Sequence, residues 1–96
     1  MWIWLLLIYK SLLAGGPALE ISGNITESVY GKPVDKAYIY TVAGEEETLS
    51  NSSGRFRLLT WQKTPVKVRF EKKGFKSREI IYTANSINHT VILSPE

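Results

Sequence analysis

From residue 19 onward, apolar and polar positions alternate in short runs separated by turn-forming residues, the period-two signature of β-strands. In the first run Ile21, Gly23 and Ile25 share one face while Ser22, Asn24 and Thr26 share the other. Tyr30-Gly31-Lys32-Pro33 then marks a turn, because glycine accepts positive φ and proline presets its own. The pattern predicts a second strand over 37–42, a polar break over 44–47 and a short edge strand over 48–51, closed by Asn51-Ser52-Ser53-Gly54. Four more strands follow over 55–60, 65–72, 76–83 and 88–94, with Lys73-Gly74 turning the chain between two of them. No helical stripe of useful length interrupts the series. About seven short strands with turns at this spacing predict an all-β fold, an Ig-like β-sandwich. Within it the alternation points Phe56, Leu58, Val68, Phe70 and Val91 into the core.

Residues 1–18 follow a different rule. Residues 2–9 form an unbroken apolar run, Lys10 and Ser11 interrupt it, and Leu12-Leu13-Ala14-Gly15-Gly16-Pro17-Ala18 completes the segment. A membrane-spanning helix needs about 20 predominantly apolar residues, so the run is too short to cross. A secretory signal instead has an apolar stretch of roughly 7–15 residues before a small-x-small cleavage site. Gly16-Pro17-Ala18 supplies such a site, although no lysine or arginine precedes the run. The expectation is an exported protein, cut after Ala18, with a folded domain over 19–96. If the segment is retained, it is the chain's one route to a membrane surface.

Composition narrows the chemistry. The chain of 96 residues has no cysteine, which excludes disulfides, thiolate metal sites and cysteine nucleophiles. A small extracellular domain without disulfides suits a bacterial envelope better than a eukaryotic secreted module. A domain this short buries only roughly 60% of the surface of its unfolded chain, so shallow surface binding is expected rather than a deep cavity.

No catalytic constellation is visible. His89 is the sole histidine and Asp35 the sole aspartate, far apart in sequence. A hydrolytic triad needs nucleophile, base and orienting group in contact. His89 should share a strand face with Val91 and Leu93 as a partly buried strand residue. Zinc needs three or four ligands at suitable spacing, and none offers itself. Glycine-rich nucleotide motifs are missing, so no cofactor is expected. Glu45-Glu46-Glu47 lack the shaped loop of a calcium site and read as a solvated hairpin tip.

Charge and aromatic residues supply two candidate surfaces. Between Arg55 and Glu96 there are nine lysines and arginines against three glutamates, whereas the stretch from Leu19 to Gly54 is acidic. With Phe56 and Leu58 inward, Arg55 and Arg57 face outward, and the next strand presents Lys67 and Arg69. Placed on one sheet face, these four would attract an anionic ligand. Export argues against nucleic acid as that ligand. The competing surface is Tyr38 and Tyr40, which point outward if Ala37 and Ile39 point inward, a pairing used in carbohydrate and protein recognition. Asn24, Asn51 and Asn88 each begin an N-x-Ser/Thr sequon, which would carry glycans only in a eukaryotic secreted protein.

Four segments together resemble the carboxypeptidase regulatory-like domains. Ile21-Ser22-Gly23-Asn24-Ile25 is similar to that family's opening strand, and Gly31-Lys32-Pro33-Val34-Asp35-Lys36-Ala37-Tyr38-Ile39 to its first turn and second strand. Asn51-Ser52-Ser53-Gly54-Arg55-Phe56-Arg57-Leu58 resembles its central turn, and Lys73-Gly74-Phe75 its glycine-aromatic corner. The chain departs from the family at Lys36, where a glycine is usual, and at Asn51-Ser52-Ser53, where an acidic residue is usual. The resemblance implies a prealbumin-like (transthyretin-like) sandwich acting as a non-catalytic appendage of a larger envelope system. The expected function is therefore a structural or protein-recognition accessory domain in the periplasm, outer membrane or cell surface. Its partner would be an envelope protein or a glycan. The alternative is a carbohydrate-binding module using Tyr38 and Tyr40.

Overall fold

The computed structural model describes residues 18–96. These form seven strands: β1 (Leu19–Glu27), β2 (Tyr38–Thr41), β3 (Glu47–Leu49), β4 (Arg55–Thr60), β5 (Val66–Glu71), β6 (Arg78–Tyr82) and β7 (Ser86–Leu93). They build two facing sheets, ordered β4-β1-β7 and β3-β2-β5-β6. The second sheet is antiparallel throughout, whereas β1 runs antiparallel to β4 but parallel to β7. The all-β sandwich is the expected fold, and the apolar segment proposed as an export signal lies outside the described residues.

Alternation decides which side of each strand is buried. Ile21, Ile25, Ile39, Phe56, Leu58, Val66, Val68, Phe70, Val91 and Leu93 all face the gap between the sheets and are buried. Phe56 of one sheet meets Phe70 of the other edge to face, with ring centroids 5.5 Å apart. Such a pair contributes about 0.5–1.5 kcal/mol beyond the area it buries. The inward positions match the sequence pattern because a one-residue slip would expose the whole apolar set.

Two backbone details fix the β1 side. The register between β1 and β7 shifts after Ile21, so that β7 carries an extra residue there. Asn88 takes the strain of that bulge with φ of 62°, a conformation asparagine tolerates better than most residues. Gly23 lies against β7 so closely that a Cβ would fall 1.8 Å from the His89 carbonyl oxygen. Sequence alternation starts the last strand at 88, but pairing to β1 begins at Ser86, ahead of the bulge.

The turns are tied by side chains. Asn51 Oδ1 accepts hydrogen bonds from the backbone N–H groups of Ser53 and Arg55 (3.0 and 2.9 Å). Gly54 closes that turn at φ of 76°. Buried Ser50 donates to the Val34 carbonyl (2.7 Å) and accepts from the Ala37 N–H (2.8 Å), clamping the connection that leads into β2.

Candidate recognition surface

The outer face of the β3-β2-β5-β6 sheet collects the long side chains that alternation turns away from the core. Register places Leu49 beside Tyr38 beside Glu71, and Glu47 beside Tyr40 beside Arg69 beside Glu79. The rings of Tyr38 and Tyr40, two residues apart on one strand, stack with centroids 4.8 Å apart and planes at 29°. Tyr40 donates its hydroxyl hydrogen to Glu71 (2.9 Å). Arg69 pairs with Glu79 at 3.2 Å and lies 3.9 Å from Glu71, while Lys67 lies 3.9 Å from Glu79. Tyr40 and the Glu79 carboxylate hold the Arg69 guanidinium above its ordinary pKa. Partial desolvation and nearby Glu47 raise the Tyr38 phenol likewise. Lys67 and Arg69 are therefore occupied by carboxylates. The exposed ion pairs add little stability, but they hold a fixed arrangement around two aromatic rings.

The four basic residues do not share a face. Arg55 and Arg57 lie on β4 of the other sheet, so they point away from the molecule on the side opposite Lys67 and Arg69. Residues 61–65 carry the chain from one sheet to the other, so β4 and β5, consecutive in sequence, are not paired. On that second outer face Arg57 pairs with Glu20 at 3.1 Å, and Thr90 donates to Asn24 (3.2 Å). Short side chains there floor a trough of about 570 Å³ bounded by Glu20, Arg55, Arg57 and Asn88.

Other sequence candidates take structural places. His89 is half-buried, with Nδ1 2.9 Å from the Tyr82 hydroxyl, and burial pushes the Tyr82 phenol up to about 12. Asp35 sits exposed in the connection between β1 and β2, and no group of three or more metal-ligating side chains occurs among the described residues. The Glu45-Glu46-Glu47 run is not a uniformly solvated tip. Glu46 turns inward and accepts hydrogen bonds from Thr41 (3.0 Å) and Gln62 (2.6 Å). Burial opposes its ionisation, but those bonds outweigh it and hold the carboxyl below its usual range.

Comparisons with known proteins agree on architecture. No protein-family model and no curated protein matches the sequence. Two solved chains from type II cohesin–X–dockerin complexes of Acetivibrio cellulolyticus superpose with TM-scores of 0.65 and 0.62, each at 18% identity. The alignments cover 80% and 78% of this chain but only 58% and 56% of those chains, so the protein spans little more than half their length. A candidate carbohydrate binding protein from Bacteroides uniformis aligns over 83% of this chain and 42% of its own, with a TM-score of 0.54 and 18% identity. At this identity the likeness is one of fold.

One feature escapes sequence reasoning. Beside Tyr38, at the end of the sandwich, Lys36, Lys72, Lys73 and Phe75 surround an open depression of about 540 Å³, with Glu71 and Glu96 also on its wall. Lys36 comes from the β1–β2 connection and Lys72, Lys73 and Phe75 from the β5–β6 connection, which no local pattern brings together. Lys73-Gly74-Phe75 was legible as a turn, but its proximity to Lys36 was not.

Proposed function

We propose that the chain is a non-catalytic, exported accessory domain that recognises a protein partner through the outer face of β3-β2-β5-β6. The observation that carries this reading is the stacked Tyr38–Tyr40 pair held beside ion-paired Arg69. Tyrosine and arginine dominate binding energy at protein interfaces, and side chains already held by neighbours lose little entropy on contact. Export to the periplasm, outer membrane or cell surface is supported by the apolar run that precedes the domain. Membership of the carboxypeptidase regulatory-like family is supported by Lys36, whose φ of 56° suits the glycine usual in that family.

The second reading is a carbohydrate-binding module on the same tyrosines, favoured by the fold likeness to the Bacteroides protein. The mutual stacking of the rings counts against it, because each ring covers a face that a sugar would need. Capture from envelope extract, compared between the native chain and the Tyr38→Ala/Tyr40→Ala variant, tests the primary reading. A retained protein lost on that double substitution supports it. Retention of glycans instead, on an array, would favour the second.

A further inference from the structure

We propose that the end of the sandwich where β1 begins rests on a lipid bilayer, with Trp61 at the interface and residues 1–18 retained. The inference goes beyond the recognition reading and uses none of its residues. Strand register defines this end. Leu19 pairs with Thr60, Ile21 with Ser86 and Val66 with Tyr82. The connections 42–46, 61–65 and 83–85 therefore gather where residues 1–18 join the domain. Side chains tie them together: Gln62 donates to Thr41 (3.0 Å), and Asn85 accepts from the Glu20 N–H (2.8 Å).

Large apolar side chains stand in solvent here. Trp61 is 65% exposed, Ile87 61% and Val42 47%. Tryptophan is ordinarily well buried in a folded domain. The chain has three tryptophans, and the other two are Trp2 and Trp4 of the apolar run. Every tryptophan thus lies either in that run or at the end of the sandwich from which the run departs. Tryptophan gathers at membrane–water interfaces, where its ring is covered while its N–H stays wet.

The apolar run selects the bilayer as occupant. Residues 2–9 are too few to cross a membrane, and one shallow apolar contact holds a protein only marginally. Stable attachment takes a second contact. The nine residues 10–18 reach at most about 30 Å when fully extended. A run placed in lipid therefore holds Trp61 near the same surface at high effective concentration.

Charge does not drive the contact. The three connections carry Lys63 against Glu45 and Glu46, so they have no positive excess for anionic headgroups. Glu46 is held by Thr41 and Gln62, and Glu20 by Arg57. A second copy of the chain fits less well, because Gln62, Lys63 and Thr64 separate Trp61 from Pro65 and interrupt any dry apolar centre. A headgroup layer accepts that mixture. Strand β2 runs from Tyr38 at the opposite end to Thr41 at this one, so attachment here turns the Tyr38 end away from the membrane.

The test uses the full chain with Trp2→Phe/Trp4→Phe, which leaves Trp61 as the sole tryptophan, and follows its fluorescence as phosphatidylcholine vesicles are added. A blue shift and quenching by lipids brominated on their acyl chains are expected, with little dependence on salt. In the otherwise native chain, Trp61→Ser should weaken sedimentation with the vesicles about tenfold, equivalent to about 1.4 kcal/mol. Val29→Ser, which removes an exposed apolar side chain just past the far end of β1, should leave it unchanged. A blue shift without quenching would mean that the apolar run or a second copy covers Trp61, and would overturn the proposal. An unshifted spectrum, equal loss in both serine variants, binding confined to phosphatidylglycerol vesicles at low salt, or an envelope protein beginning at Leu19 would overturn it too. Recognition through the tyrosine face stands or falls separately, by the capture experiment with Tyr38→Ala/Tyr40→Ala.

Discussion

On the outer face of β4-β1-β7 the central side chains are short: Ser22, Asn24 and Thr26 on β1, with Thr90 beside them. On the outer face of β3-β2-β5-β6 the same positions carry Tyr38, Tyr40, Lys67, Arg69 and Glu71, each touching a neighbour through a ring stack, hydrogen bond or ion pair. Both faces arise from one alternation and enclose one core. The first covers a closely paired set of strands, where Gly23 has no room even for a methyl group. The second presents large side chains already arranged. Pre-arranged tyrosine and arginine reduce the entropy that a binding surface gives up, which is the reason for proposing recognition on the second face.

The comparison breaks most completely if the shared core is opened. Phe56→Ala removes one half of the Phe56–Phe70 contact and should cost about 3–5 kcal/mol in denaturant unfolding. A loss below about 1 kcal/mol would mean that Phe56 is not enclosed and that the assignment of inner and outer faces is inverted.

Alkaline pH separates the sheets chemically. Tyr82 has a pKa raised above its ordinary value of 10.0 to about 12, so the folded state disfavours its phenolate. The stabilisation is complete below pH 10 and is lost as pH rises from 10 to 12. With solvent screening of the half-buried hydroxyl discounted, the loss should be on the order of 1–2 kcal/mol. Unfolding measured across this range should show the fall in the native chain and a smaller one in Tyr82→Phe.

Ser50→Ala tests the clamp that leads into the tyrosine strand. It leaves the Ala37 N–H and Val34 carbonyl without their partner and should cost about 1–3 kcal/mol by the same assay. Breaking the exposed Arg57–Glu20 pair with Arg57→Ala should cost less than about 1 kcal/mol. A larger cost there would give the short-chain face an energetic role denied to it above.

Much of this molecule is legible in its sequence, within a clear physical limit. Period-two alternation reports the side of a strand on which a residue lies, and Phe56, Leu58, Val68, Phe70 and Val91 are buried as it predicts. It does not report which sheet a strand joins, because pairing is set by contacts distant along the chain. Arg57 and Lys67 therefore looked like neighbours and prove to lie on opposite faces. Tyr38 and Tyr40 are adjacent within one strand, so their shared face needed no long-range information. Glu46 and Ser50 were missed because their partners, Gln62 for one and Val34 and Ala37 for the other, lie in separate connections.

Recognition as proposed requires that partners meet the tyrosine face. A photoreactive benzoylphenylalanine placed at position 38 in one variant and at position 57 in another, followed by irradiation in intact cells, measures this directly. A covalent protein adduct is expected from position 38 and none from position 57. An adduct from position 57 alone would contradict it.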